Sequence, residues 1–202
     1  MVFDLFSRQK QQREEFGDRL PPGQKLVEGW PVLSYGATPR IKLEDWRLRI
    51  GGLVEAPVEL TWDEFKALPQ TKITGDIHCV THWSKFDNEW EGVTWQDLLK
   101  ETGIKIKPEA RHIMQHSYGG YTTNVPIRDM EQPGVIFAHM HNGKPLEPDH
   151  GGPMRPVVPH LYFWKSAKWL RGIEFMTDEK PGFWEMYGYH IYGDPWKEER
   201  FS

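Results

Sequence analysis

Short alternations of apolar and polar side chains along the chain predict strands rather than long helices. Residues 46–50 alternate apolar and basic side chains before Gly51 and Gly52, which is typical of a half-exposed strand that ends in a turn. Four later stretches are also strand-like in composition, namely residues 110–117, 135–140, 156–159 and 172–176. The second of them leads into Asn142 and Gly143, the preferred pair for a two-residue type I′ hairpin.

Two short helices are predicted by their capping residues. Thr61 and Glu64 have the spacing of a capping box, and the helix should end near Leu68 because Pro69 follows. A second helix should begin after Thr94 in the same way.

The second helix has Asp97 at its third position, and Gly103 provides a C-terminal exit. The two helices are therefore separated by a stretch that contains Cys79, which places this residue in the connection or strand between them.

Strands and short helices are interspersed without a regular strand–helix–strand alternation. We therefore predict an α+β fold of mixed β-sheets with short helices. Residues 1–24 are polar and end in Pro21, Pro22 and Gly23, which predicts an N-terminal arm. Residues 25–202 are predicted to form a single domain, and the aromatic stretch 182–190 should pack back onto its body.

Composition favours an ordinary soluble protein. The 202 residues are 38% hydrophobic and 27% charged, with a net charge of -4. This balance gives no basic footprint for nucleic acid, and no apolar run is long enough to span a membrane. The first 25 residues lack the apolar segment of a signal peptide, so we expect a cytoplasmic location. The ten tryptophans could wall a flat cofactor or simply fill a core.

Cys79 is the single cysteine, which excludes an intramolecular disulfide. Its thiol could bind a metal, attack a substrate or fill core space. His78 and His82 flank it, but a structural zinc site usually has paired cysteine or histidine ligands, and the second cysteine is missing. A cysteine hydrolase activated by either histidine is another option, although no oxyanion-hole motif accompanies the pair.

Other histidines leave a patchwork zinc or copper site open. His112 and His116 would share one face of a strand, and so would His139 and His141. Scattered histidines are more often hydrogen-bonded structural residues, which is the competing interpretation.

A basic cluster lies downstream of two glycines that allow close backbone approach. Arg155, Lys165 and Lys168, together with Ser166, offer donors suited to a phosphate, and the surrounding prolines and aromatic residues favour a concave site. The competing interpretation is that each basic residue is a solvated surface charge.

Several ordered segments resemble the sulfite oxidase family. They are residues 52–57 with Thr61, 78–80 with Trp83 and Ser84, 90–93 with Leu98 and Leu99, 143–146, 150–155 and 165–170. Together they are similar to the molybdopterin-binding domain shared by sulfite oxidases, related nitrate reductases and the catalytic subunit of the bacterial methionine sulfoxide reductase. The resemblance covers residues 40–176 and implies a molybdenum-dependent oxidoreductase that carries out two-electron oxygen-atom transfer.

The resemblance also implies roles for individual residues. Cys79 would supply the protein thiolate to molybdenum beside the two dithiolene sulfurs of molybdopterin, and Tyr121 would lie near the metal. His82 could bond to cofactor or substrate, or cap a loop. The implied cofactor-binding residues are Tyr35, His78, Cys79, Ser117, His150, Arg155, Lys165, Ser166, Ala167 and Lys168.

Departures from the family pattern bear on the substrate and the partners. Sulfite oxidases carry arginines just after the metal cysteine, whereas this chain has Trp83 and Ser84, so sulfite is a doubtful substrate. The phrase around Cys79 is closest to that of the sulfoxide reductase subunit. No haem motif or C-terminal β-sandwich follows, which predicts a separate electron-transfer partner and a monomer. The alternatives are a non-catalytic molybdopterin-binding partner subunit and a metal-free cysteine hydrolase.

Overall fold

The computed structural model describes Gln11 and residues 14–202, so the other residues of the predicted arm lie outside the description. Two mixed β-sheets form the body. The first contains β1 (Lys25–Leu26), β4 (Thr71–Cys79), β5 (Trp83–Thr94), β8 (Ile136–His141), β9 (Lys144–Pro145) and β10 (Arg155–Val157). The second contains β2 (Arg47–Gly52), β3 (Val58–Thr61), β6 (His112–Ser117), β7 (Thr122–Pro126) and β11 (Leu170–Met176).

Both sheets mix parallel and antiparallel pairs, as the predicted α+β class requires. In the first sheet the path β1-β5-β8-β10 has β1 parallel to β5, while β4 forms an antiparallel hairpin with β5. In the second, with the order β3-β2-β11-β6-β7, β11 runs parallel to β2 and antiparallel to β6. Cys79 is the last residue of β4 in the β4–β5 hairpin and directly precedes its turn.

Short helices between residues 17 and 202 accompany the sheets, namely α1 (Trp62–Ala67), α2 (Trp95–Thr102), α3 (Ile127–Met130) and α4 (Phe183–Met186). The predicted caps are confirmed. The Thr61 hydroxyl accepts the Glu64 N–H at 3.3 Å and the Glu64 carboxylate accepts the Thr61 N–H at 2.8 Å, which completes the capping box. Gly103 ends α2 in the left-handed region, with φ +64°.

The predicted strands are present, with one shift. Asn142 and Gly143 both have positive φ and connect β8 to β9, as a type I′ hairpin requires. The strand expected at 156–159 is instead β10, which ends at Val157. It ends early because the Val158 N–H donates to the Ser166 hydroxyl at 2.9 Å and Pro159 has no N–H to donate.

The main core lies between the two sheets and is rich in aromatic residues. Trp95 shows the arrangement, since its ring lies 6.2 Å from that of Phe137 in the first sheet and 5.9 Å from that of Phe175 in the second. Burying such side chains contributes about 1.5–3 kcal/mol each. A separate cluster of Val80, Tyr162 and Trp164 packs beside Cys79 and places the functional region at the edge of the body.

Segments near both ends of the described chain pack onto this body. The aromatic tail folds back as predicted, with the ring of Tyr189 5.1 Å from that of Trp164. Near the other end, Arg19 forms hydrogen bonds of 2.8–2.9 Å to Asp76 and Asp87. The division into an arm of residues 1–24 and a domain of 25–202 stays a prediction. No helix in the described part of the chain is long and apolar enough to cross a bilayer.

Candidate active site

A cavity of about 350 Å³ opens beside the end of β4. Its walls are mainly aromatic, and its polar lining is concentrated in a thiol, two cationic groups and a few hydroxyls. The lining residues most relevant to chemistry are Cys79, Tyr121, Arg155, Ser166 and Lys168, and Tyr35 lies at the rim with 70% exposure. The fold thus brings together residues that lie as much as 133 positions apart, from Tyr35 to Lys168.

Cys79 occupies the last position of β4, opposite Trp83 across the hairpin. Its sulfur lies 3.1 Å from the Thr81 hydroxyl, and the side chain lines the cavity. Burial raises the pKa of the Cys79 thiol, against the hydrogen bond to Thr81. A buried thiol with little polar support is a poor free nucleophile, but it is well placed to become a thiolate on binding a metal.

The histidines beside Cys79 point away from its sulfur. His78 is buried, its Nδ1 lies 2.8 Å from the Ser84 hydroxyl, and burial lowers its pKa to about 4. His82 is exposed and its Nδ1–H donates to the Gly23 carbonyl at 3.0 Å. Neither ring is placed to activate the thiol, so the geometry does not support the cysteine hydrolase.

The patchwork zinc or copper site is not assembled either. His112 and His116 face Glu179 and Glu174, while His139 contacts Lys66 and Gln70 and His141 contacts Asn88. Among residues 14–202 and Gln11, no group of three histidine, cysteine or acidic side chains could hold a metal ion. A metal at Cys79 would therefore have to bring its other ligands with it.

Arg155 and Lys168 form the cationic wall of the cavity. Arg155 is 2% exposed, and its guanidinium donates to the carbonyls of His150 (2.8 Å) and Ser166 (2.5 Å) without a carboxylate partner. Lys168 donates to the Asp149 carbonyl at 2.6 Å and to Ser34 at 2.8 Å. Burial lowers the pKa of Arg155 to about 9, and burial and the charge of Arg155 lower that of Lys168 to about 8.

Gly151 allows this wall to form. It has φ +105°, and a Cβ there would lie 3.0 Å from the backbone Cα of Lys168. Glycine therefore provides both the left-handed conformation and the close approach that bring Lys168 beside Arg155.

Several buried polar atoms around the cavity have no hydrogen-bond partner among the described residues. They include Arg155 Nε and Trp83 Nε1, which can only donate, and His150 Nδ1. The His150 ring stacks on that of Trp30, with 3.9 Å between the ring centroids. Buried donors without acceptors are costly, and two unneutralised cations add to that cost. The cavity therefore matches an anionic ligand rich in acceptor atoms.

Ser117 and Tyr121 lie on the opposite side. The Tyr121 hydroxyl donates to the Trp164 carbonyl at 2.7 Å, and burial raises its pKa well above 10. Ser117 lies behind it, with its N–H donating to the Tyr121 carbonyl at 2.9 Å and its buried hydroxyl unpaired. Ser117 lines a neighbouring surface depression with Tyr121 rather than the cavity itself.

Lys165 is not brought to the cavity. It is 1% exposed, and its ammonium group bonds to Glu185, to Asn124 and to the Ile191 carbonyl. Ser166 contributes through its carbonyl to Arg155 and its hydroxyl to Val158, and the Ala167 N–H donates to Gln115. Within this predicted cluster, Lys168 is therefore the lysine available to a ligand.

Some wall residues were not predicted. Trp164, Trp184 and Tyr189 complete the aromatic side of the cavity, with the rings of Trp184 and Tyr189 stacked 5.1 Å apart. The only sequence signal was the high aromatic content of the tail, which predicted packing but not which rings face the cavity.

Comparison with known proteins identifies the domain. The family of the oxidoreductase molybdopterin-binding domain matches residues 35–184, most of the chain. This chain belongs to that family. It is a molybdopterin-binding oxidoreductase domain of the sulfite oxidase type, and its cofactor is molybdopterin with its molybdenum. The buried donors and the unneutralised cations of the cavity fit the phosphate and acceptor-rich ring of such a group.

Relatives span both short and long proteins. The uncharacterized oxidoreductase YuiH of Bacillus subtilis is 45% identical over 194 residues, covering 96% of this chain and 97% of that protein. An NADPH nitrate reductase of Emericella nidulans is 31% identical over 191 residues, which cover 80% of this chain and 21% of the reductase. The sulfane dehydrogenase SoxCD of Paracoccus pantotrophus has the same fold, with a TM-score of 0.62 at 24% identity over 70% of this chain and 40% of that one.

Removing the buried charge of Arg155 should weaken cofactor binding to this molybdopterin domain but leave its stability nearly unchanged. We expect Arg155→Met to weaken cofactor retention about 10–100-fold, since a charge-assisted hydrogen bond is worth about 1.5–3 kcal/mol. The free energy of unfolding of the cofactor-free protein should change by no more than about 1 kcal/mol, because the lost carbonyl contacts are offset by relief of a buried, unpaired charge. Equilibrium dialysis and urea denaturation measure the two effects, with the exposed Arg111→Met as the matched control.

Anion binding should depend on pH through Lys168. Because burial lowers its pKa to about 8 in the folded protein, the ammonium charge is present at pH 7 and is lost as the pH rises. We expect inorganic pyrophosphate to bind the cofactor-free protein about fourfold more weakly at pH 8.5 than at pH 7. Calorimetric titration of Lys168→Arg is the control, and a slope unchanged by this substitution would assign the dependence to another group.

Proposed function

We propose that this chain is the cofactor-bearing unit of an enzyme that transfers an oxygen atom to or from a small substrate. In the reductive direction, an oxidised substrate takes up two electrons and two protons and releases water, and the reverse holds for oxidation. The observation that supports this proposal best is that the Cys79 thiol and the unneutralised Arg155 and Lys168 line one cavity. When bound, the molybdenum cofactor supplies the two-electron redox chemistry.

Different residues of the chain would hold different parts of the molybdenum cofactor. Cys79 would provide one sulfur ligand, which suits a metal that prefers soft donors. Arg155 and Lys168 would bind the phosphate, and His150 would offer its unpaired Nδ1 to the pterin. Ser166 and Ala167 hold the backbone of this wall in place.

The substrate side of the cavity is aromatic and uncharged. Trp83, which follows residues 79–82 and lines the cavity, is neutral, and the neighbouring Ser84 is fully buried and engaged with His78. The cations that line the cavity are those we assign to the cofactor. This arrangement disfavours a small inorganic anion such as sulfite, and we assign Tyr121 and the rim residue Tyr35 to the substrate side.

Electrons would be exchanged with a separate protein partner, as the sequence predicts. A cytoplasmic location and a monomeric state stay predictions.

The proposal is tested on the purified protein. Metal analysis by mass spectrometry and fluorescence of the extracted pterin should both give values near one per chain. Turnover is then measured with sulfite, nitrate and a neutral sulfoxide. We expect the neutral sulfoxide to be turned over best and both inorganic anions, sulfite included, more poorly. Full cofactor content with no turnover of any substrate would favour a non-catalytic binding subunit, and a metal-free protein would contradict the proposal.

A further inference from the structure

The turn that carries the metal-ligand cysteine, residues 79–82, is called here the cysteine loop. It connects β4 to β5, and the carbonyls of Cys79, Val80 and His82 accept hydrogen bonds from residues near the two ends of the chain. The Cys79 carbonyl accepts the His82 N–H at 3.2 Å and also the side-chain amide of Gln24 at 2.9 Å. His82 adopts φ +68°, a left-handed conformation that only a few per cent of non-glycine residues adopt, and hydrogen bonds with the N-terminal segment hold it there.

The N-terminal segment holds His82 in this conformation on one side. The His82 ring donates to the Gly23 carbonyl at 3.0 Å, and the Lys25 N–H donates to the His82 carbonyl at 3.0 Å. Gln24 is only 2% exposed, so its amide is committed to the cysteine loop rather than to water. The N-terminal segment therefore forms hydrogen bonds with both ends of the loop, at Cys79 and at His82.

The C-terminal tail contacts the loop from a second side. Arg200 is 6% exposed, and its guanidinium donates to the Val80 carbonyl at 2.6 Å and to the Pro22 carbonyl at 3.4 Å. It also lies 4.8 Å over the ring of Tyr162. The carboxylate of Glu198 is 3.9 Å away and 50% exposed, so the charge of Arg200 is only weakly compensated.

This positive charge lies next to the cysteine, because the Val80 carbonyl that Arg200 binds belongs to the residue directly after Cys79. A cation held near a sulfur ligand in a medium of low dielectric stabilises negative charge on that sulfur.

Gln24 and Arg200 both lie outside residues 35–184, where the family is matched. We propose that these two chain ends form a clamp in which Gln24 and Arg200 are positioning residues that fix Cys79 as a metal ligand. Through its charge, Arg200 also raises the reduction potential of the bound metal. This inference rests on the proposed function, because it requires Cys79 to hold molybdenum.

The clamp is tested on the holoenzyme with three substitutions, Arg200→Met, Arg200→Lys and Gln24→Met. Molybdenum content, the reduction potential from a titration followed by electron paramagnetic resonance, and the shape of the Mo(V) signal are measured for each. Arg200→Met should shift the potential to more negative values. Arg200→Lys should restore the potential but not the signal, because lysine keeps the charge and loses the fork that joins two carbonyls. Gln24→Met should alter the signal and leave the potential near that of the wild type.

Arg111→Met, which removes an exposed arginine from the start of the β6 region, serves as the control and should change neither property. Wild-type potential and signal in both Arg200→Met and Gln24→Met would overturn the clamp while leaving the proposed function intact. A wild-type protein that binds no molybdenum would overturn both. If Arg200→Met does not fold, Arg200→Lys and Gln24→Met decide the question through the signal alone, because an unchanged signal in both contradicts a positioning role.

Discussion

Replacing the sulfur of Cys79 by oxygen is expected to reduce kcat/KM at least about 100-fold, equivalent to about 2.7 kcal/mol of transition-state stabilisation. In Cys79→Ser the metal would lose a soft, charge-donating ligand, and a serine hydroxyl is a far weaker one at neutral pH. The fold should be unaffected, since the thiol is partly buried and its hydrogen-bond partner is the neighbouring Thr81. Turnover per bound molybdenum separates lost chemistry from lost cofactor.

Thr81→Val is the matched control for this experiment. It removes the hydrogen bond to the sulfur but keeps the ligand, so we expect a loss of less than about tenfold, in line with one ordinary hydrogen bond. If Cys79→Ser kept more than a tenth of wild-type activity per molybdenum, Cys79 would not be a ligand that matters to the reaction.

Breaking the buried pair of Lys165 and Glu185 is expected to have the largest effect on stability. Both side chains are 1% exposed. Lys165→Met should lower the free energy of unfolding by about 3–5 kcal/mol, because it leaves an uncompensated carboxylate in the interior. Glu185 also accepts from the Thr123 hydroxyl and the Trp164 indole, so the loss would loosen a wall of the cavity. Urea denaturation of the cofactor-free protein measures the change.

The double variant Lys165→Met with Glu185→Leu is the control. Removing both charges should recover most of the lost stability, since a hydrophobic pair of similar volume is often no worse than a buried ion pair. A single variant that is fully stable but loses cofactor would instead restore Lys165 to the role of a phosphate donor.

Local features of the fold could be predicted because their causes are local. The capping box at Thr61, the glycine that ends α2 and the Asn142-Gly143 hairpin each depend on a few consecutive residues. The end of β10 could not be predicted. It is set by the Ser166 hydroxyl, which takes the Val158 N–H that a longer strand would have used.

Some of the residues that line the cavity were predictable from the sequence, but their geometry was not. The order of segments along the chain led to Cys79, Arg155 and Lys168, which the structure brings to one cavity. Composition could not distinguish Lys165 from Lys168, since the two differ only in which way a short turn directs each side chain. That direction is decided by Glu185, which lies 20 positions after Lys165.

The contacts of Gln24 and Arg200 with the cysteine loop could not be predicted from sequence motifs. Gln24 lies in a segment that was predicted to be an arm, and Arg200 lies in a tail that was predicted only to pack. Each reaches the cysteine loop through a contact that spans at least 55 positions of the chain. Such contacts leave no local pattern, because an isolated Gln or Arg is compatible with any exposed loop.

The central claim, that Cys79 binds the molybdenum of a bound cofactor, is tested most directly by X-ray absorption at the molybdenum edge. The wild-type protein and Cys79→Ser are compared at equal molybdenum content. We predict one fewer sulfur neighbour of the metal in Cys79→Ser, with an additional light ligand in its place. The same number of sulfur neighbours in both proteins would contradict the assignment of Cys79 as the metal ligand.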